Sequence, residues 1–249
     1  MIVVERKEIH EIPLLEVCDV DLKSDKLPLV FFYHGWTSCK EQVLTQGFEI
    51  AKRGARVVLP DALYHGERQD DKDVEAHAAE FFKIVVNSIN EFQKLKTAYT
   101  DKKLADDERV GVSGLSMGGI TTCGLLRTRT DIKAADCLMG SPNMYEFANQ
   151  MVESFATTVH TLPDDVHEQL EFLKDYDLSL APESIKGRAV HFWHGTEDKV
   201  VVYQPTYDFY QRIKHEPYAE NVTFTTTNHE HKVPYSISVE MGEFFEQEL

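Results

Sequence analysis

The segment Gly114-Leu115-Ser116-Met117-Gly118-Gly119 sets a serine between two glycines, each two residues away. A strand-like stretch, Arg109–Ser113, precedes it and a helix-like one, Ile120–Arg127, follows. G-x-S-x-G in that setting is a nucleophile elbow. A tight turn lifts the serine oxygen above the sheet in a strained backbone, and strand and helix come so close that the flanking positions must be tiny. A serine hydroxyl is a poor nucleophile at neutral pH. It needs a base within hydrogen-bond reach and a carboxylate to orient that base. With such an elbow the order along the chain is serine, acid, histidine. An acid must therefore follow a later strand, and a histidine the last one. The strand-like Ala189–Trp193 runs into His194-Gly195-Thr196-Glu197-Asp198, and Val222–Thr226 runs into Thr227-Asn228-His229-Glu230-His231. Glu197 and Asp198 are both candidates for the acid. Of the two histidines, His231 stands nearer the terminal helix that Pro234 can start, and we take it as the base. His229-x-His231 as a metal pair lacks further ligands at a recognisable spacing. Neither a metal nor another cofactor is expected.

Acyl transfer passes through an oxyanion that needs two preorganised N–H donors. One is expected from the backbone of Met117, the residue after the nucleophile, and the other from a loop after an earlier strand. Pro28–Tyr33 leads into His34-Gly35-Trp36-Thr37-Ser38, where Gly35 allows a sharp bend and Trp36 N–H is the expected donor. His34 is read as a packed histidine that shapes this loop. Asp61-Ala62-Leu63-Tyr64-His65-Gly66-Glu67-Arg68 follows Arg56–Leu59 and falls on the same rim, where His65 and Glu67 are read as shaping residues. Trp36, Tyr64, Met117 and Tyr145 are candidates to line an acyl pocket.

These residues require a scaffold of parallel strands ending on one rim. The six strand candidates are Pro28–Tyr33, Arg56–Leu59, Arg109–Ser113, Ala135–Met139, Ala189–Trp193 and Val222–Thr226. They are short, rich in β-branched and aromatic residues, and often apolar at successive positions, as in strands buried on both faces. Between them lie helical patterns at Lys40–Arg53, stopped by Gly54, and at Val74–Thr97, with a terminal one at Pro234–Leu249. The alternation implies an α/β fold with a mostly parallel, doubly wound sheet. The first twenty residues alternate apolar and polar around Pro13 and read as an antiparallel edge hairpin. Asn143–Ile185 breaks the pattern with two helical segments, Tyr145–His160 and Asp164–Lys174, expected to form a cap over the site.

Composition narrows the function further. With 249 residues, the chain fits one domain with a sizeable core. A net charge of −16 argues against nucleic acid and against an anionic membrane surface. The apolar runs are strand-length and no basic, apolar leader opens the chain, so neither a membrane span nor a signal peptide is expected. Cys18, Cys39, Cys123 and Cys137 are widely spaced. They read as reduced thiols of a cytoplasmic protein.

Taken together, His34-Gly35-Trp36, the serine elbow, His194-Gly195-Thr196-Glu197-Asp198 and the late His231 resemble the α/β-hydrolase superfamily. The closest resemblance is to small bacterial carboxylesterases related to the prolyl-oligopeptidase and dienelactone-hydrolase branches, and it covers nearly the whole chain. In that group the acid stands where H-G-x-x-D puts Asp198, and the base opens an H-x-[IV] segment matched by His231-Lys232-Val233. The family often has proline four residues after the acid, where this chain has Val202. Dienelactone hydrolases use cysteine where this chain has Ser116. The resemblance implies an α/β-hydrolase fold with helices on both faces of the sheet, to which the break in alternation at about residues 143–185 adds a small helical cap. It also implies ester hydrolysis through Ser116, His231 and Asp198, without cofactor, and the expected cap suggests a confined pocket and so small or short-acyl esters. The rival activities are an aminopeptidase or amidase, an acyltransferase on the same three residues, and a non-catalytic binding protein. An aminopeptidase would want carboxylates at the pocket rim, for which Glu67, Glu146 and Glu153 are candidates.

Overall fold

The computed structural model describes residues 1–159 and 170–249. Eight strands form one sheet: β1 (Ile2–Ile9), β2 (Ile12–Asp19), β3 (Leu27–Tyr33), β4 (Arg56–Pro60), β5 (Ala105–Leu115), β6 (Ala134–Leu138), β7 (Ala189–Gly195) and β8 (Val222–Thr227). Their spatial order is β1-β2-β4-β3-β5-β6-β7-β8. β1 pairs with β2, and β2 with β4, antiparallel; every pairing from β4 across to β8 is parallel. The expected edge hairpin is thus present. His10 and Glu11, both at positive φ, make its two-residue turn between the paired Ile9 and Ile12, as a hairpin twisting with its strands requires.

Helices α1 (Leu44–Ala51), α2 (Phe81–Asp101), α3 (Met117–Thr128), α4 (Met144–Val159), α5 (Tyr203–Ile213) and α6 (Tyr235–Glu248) connect or follow the strands. Alternation along the strands divides the core into two layers. Val30 and Phe32 of β3 face one layer with Ile50 of α1 and Ile237, Met241 and Phe245 of α6. Leu29, Phe31 and Tyr33 face the other, with Phe92 of α2 and Ile120 and Leu126 of α3. Parallel strands covered on both faces are the architecture expected of the α/β-hydrolase fold.

Several boundaries differ from expectation. The helices expected from Lys40 and from Val74 begin as 3-10 turns, Lys40–Val43 and Val74–Glu80, before α1 and α2. Over so few residues an apolar period of 3.0 cannot be told from 3.6. β5 starts at Ala105, ahead of the charged Asp106-Asp107-Glu108, where its register with β3 shifts between Leu27 and Leu29. Charge there is tolerated because Asp106 pairs with Arg109 and Lys26, and Asp107 and Glu108 are exposed. Of the expected helix Asp164–Lys174, residues 164–169 lie outside the described residues, as does His160, and Glu171–Asp175 form a 3-10 turn. Two more such turns, Leu178–Leu180 and Pro182–Ile185, lead to β7. Leu173, Leu178 and Ile185 are buried in the same apolar cluster as α2 and α3. The four cysteines are free. No helix among the described residues is long and apolar enough to cross a membrane.

Candidate active site

Ser116 stands where β5 turns into α3, with φ 56° and ψ −116°. Only contact forced from both sides keeps a side-chain-bearing residue in that conformation. A Cβ on Gly114 would lie 2.5 Å from the backbone of Gly118, and one on Gly118 would lie 2.0 Å from the Tyr33 carbonyl oxygen. Both glycines are therefore steric requirements of a strand, a helix and β3 packed at backbone distance. Ser116 N–H donates to the Leu138 carbonyl (2.9 Å), which ties the elbow to β6.

The other two expected residues meet this serine. His231 Nε2 is 2.9 Å from Ser116 Oγ, and His231 Nδ1 is 2.7 Å from Asp198 Oδ2. An ionised carboxylate only accepts, so Nδ1 carries the proton and Nε2 accepts from the serine hydroxyl. The Asp198 side chain is 0 % exposed and that of His231 21 %. The carboxylate is thus sealed below while the imidazole reaches the surface beside the serine. Burial pushes the Asp198 carboxyl up, but hydrogen bonds from His194, His231 and the Val200 N–H outweigh it and hold the group well below the usual carboxylate range. The Val200 and Val201 N–H groups both donate to Oδ1. The neighbours that compete with these residues in sequence turn away. Glu197 is exposed, and its N–H donates to the His229 carbonyl. His229 is exposed, with Nδ1 2.9 Å from Thr227 Oγ1.

On the opposite side of Ser116, the loop after β3 approaches closely: a Cβ on Gly35 would lie 3.5 Å from Ser116 Cβ. Trp36 follows at once. Met117 opens α3, where the first-turn N–H groups have no carbonyl one turn earlier. His34 is buried, accepts the Ala62 N–H on Nε2 (3.0 Å) and has Nδ1 2.8 Å from the Gly35 carbonyl. Burial holds its pKa down at about 4, so it is a neutral brace between two rim loops.

Beneath this loop sits a group of charges of which the sequence singles out only Glu67. The Lys40 side chain is 0 % exposed, and its ammonium lies 2.6 Å from Asp61 Oδ2, 2.8 Å from Glu67 and 3.0 Å from Glu41. Asp61 also accepts the backbone N–H groups of Lys40 and Glu67. Burial opposes the Lys40 charge, yet the bonds to Asp61 and Glu41 raise its pKa above the ordinary value. For the others the only signal in the sequence was position: Asp61 immediately follows β4 on the rim.

Of the expected pocket residues, Met117 adjoins Ser116, and the others make contacts of their own. Trp36 packs on His65 and Phe81. Tyr64, at φ 63°, stacks on His77 at 3.8 Å between centroids. The Tyr145 hydroxyl donates to Glu171 (2.6 Å), and the Lys174 ammonium lies over its ring. Among the described residues, neither tyrosine makes a hydrogen bond or ring contact with Ser116, Asp198 or His231. A cavity beside the acid turn is lined by Ser141, Asn143, Phe147, Val201 and Val202.

Residues 64–247 match the model of the prolyl oligopeptidase family. The chain is 40% identical over 255 residues to "Putative esterase YitV" of Bacillus subtilis (strain 168), covering 100% of both chains. It is 30% identical over 207 residues to "Esterase YjfP" of Escherichia coli (strain K12), covering 81% of this chain and 80% of that one. The crystal structure of TT1662 from Thermus thermophilus superposes with a TM-score of 0.74 at 17% identity, covering 99% of this chain and 98% of that one, and so shares the fold. The chain belongs to the prolyl oligopeptidase family and is an esterase-type enzyme of the α/β-hydrolase fold.

Proposed function

We propose that the protein hydrolyses small, short-acyl carboxylic esters through an acyl-enzyme on Ser116. The observation that carries this reading is the unbroken hydrogen-bond chain from Ser116 Oγ through His231 to Asp198. His231 Nε2 takes the hydroxyl proton as Ser116 Oγ attacks the ester carbonyl carbon. Asp198 keeps Nδ1 protonated and stabilises the imidazolium. The Trp36 and Met117 backbone N–H groups bind the oxyanion. Its collapse expels the alcohol, which takes the proton from His231. A water molecule, deprotonated by His231, then releases the acid. No step needs a cofactor.

The reading as a single domain with a cap at about residues 143–185 draws support from the cavity beside the acid turn. Asn143 and Phe147 from the expected cap and Val201 and Val202 from the acid turn line it together. A cap over the site would confine the acyl group and favour short ones. We read the enzyme as a cytoplasmic one on its four free thiols. The test is kcat/KM across p-nitrophenyl esters of increasing acyl length, with Ser116→Ala as the blank. Turnover that depends on Ser116 and peaks at short chains is expected. No Ser116-dependent turnover on any ester would contradict esterolysis, and a maximum at long chains would contradict the confined pocket.

A further inference from the structure

His194, the last but one residue of β7, is 0 % exposed at its side chain and lies four residues before the acid. Its Nε2 is 2.8 Å from the Val201 carbonyl and 3.2 Å from Asp198 Oδ2. Both neighbours are acceptors, which puts the proton on Nε2. Nδ1 is buried with no hydrogen-bond partner among the described residues. The Val201 carbonyl belongs to the residue whose N–H donates to Asp198 Oδ1. The N–H is thus anchored on the turn that also grips the carboxylate, and the oxygen 3.2 Å from the same nitrogen, Oδ2, is the one that meets His231 Nδ1.

We propose that His194 is a positioning residue for the reaction, acting through Asp198 by fixing the carboxylate oxygen that orients His231. The inference rests on the reading of Ser116, His231 and Asp198 as the reacting set. A lysine or arginine in the same place would also hold the oxygen, but it would neutralise the charge that His231 needs. An imidazole N–H steadies the carboxylate without a fixed charge beside it. The ring has a second role in packing, since it meets Tyr203 edge-on at 5.9 Å. The two roles separate by substitution. His194→Phe keeps a ring and loses the donor. His194→Gln loses the ring but carries an N–H the same number of bonds from Cα as Nε2.

The experiment measures kcat and KM on p-nitrophenyl acetate for both variants, for Asp198→Ala and for His194→Phe in the Asp198→Ala background. His194→Phe is expected to lower kcat about 10- to 100-fold with KM nearly unchanged, the effect of losing one hydrogen bond to a charged group. His194→Gln should recover most of that loss. With Asp198→Ala already present, His194→Phe should have no further effect, because coupled residues are non-additive. Wild-type kcat in His194→Phe, equal losses in both single variants, or a loss undiminished without Asp198 would each overturn the proposal. Wild-type kcat in Asp198→Ala would instead overturn the reading of the reacting set, and this inference with it.

Discussion

The two flanks of Ser116 are built by opposite means. On the side of β3 and β4, the rim loops stand on a buried ion pair, Lys40 with Asp61, flanked by the more exposed Glu67 and Glu41. On the side of β7 and β8, no lysine or arginine among the described residues pairs with Asp198; it is held by His194, His231 and two backbone N–H groups. The difference follows from what each flank delivers. In the proposed reaction the first must set a stretch of backbone so that the Trp36 N–H faces an oxyanion, and a compact ion cluster clamps two loops at several points at once. The second must deliver a negative charge to an imidazole, and a cation there would compete for it. The first flank should therefore be felt mainly in stability, and the second mainly in rate.

Four outcomes would break or sharpen that contrast. The largest is at its centre: Ser116→Ala should lower kcat by about 10⁶-fold, read by steady-state kinetics, with the unfolding midpoint little changed. Asp198→Asn should lower kcat by about 10⁴-fold, again with the fold retained by circular dichroism; a stability loss without a rate loss would reverse the roles of the flanks. Lys40→Met should cost about 3–5 kcal/mol in denaturant unfolding, because it leaves the Asp61 charge buried without its partner. Its kcat, measured on the folded fraction, should fall far less than that of Asp198→Asn. The smallest effect is one of pH. His34 is held neutral down to about 4 against an ordinary 6.5. Between those values the unfolded chain binds a proton that the fold refuses, so stability rises with pH by at most about 1.4 kcal/mol per unit. His34→Asn should flatten that rise in unfolding free energy measured at about pH 5 and about pH 6.5.

The same contrast marks what the sequence makes legible. The catalytic flank is nearly all readable, because its chemistry is local: glycines at fixed offsets around Ser116, and an acid and a histidine each just past a strand. Asp198 over Glu197 was settled by resemblance. Geometry points the same way, since Glu197 is exposed while Asp198 is enclosed. The supporting residues are not readable in this way. Lys40 and Asp61 are 21 positions apart, and charged residues are solvent-facing by default, so only the packing of β3 against β4 brings them together. His194 looks like the lead-in to an acid loop, and its link to Asp198 appears only once the turn to Val201 is formed. Strand positions were legible from apolar runs, whereas the charged start of β5 and the 3-10 entries to α1 and α2 were not, since pairing partners and backbone pitch decide them.

The most direct test of the account is to quench the reaction with p-nitrophenyl acetate during its first turnovers, digest the protein and locate the adduct by mass spectrometry. The account predicts a single acetyl group on the Ser116 peptide, lost on further incubation in water and absent from Ser116→Ala. An acetyl group accumulating on another residue, or steady turnover by Ser116→Ala at the wild-type rate, would contradict it.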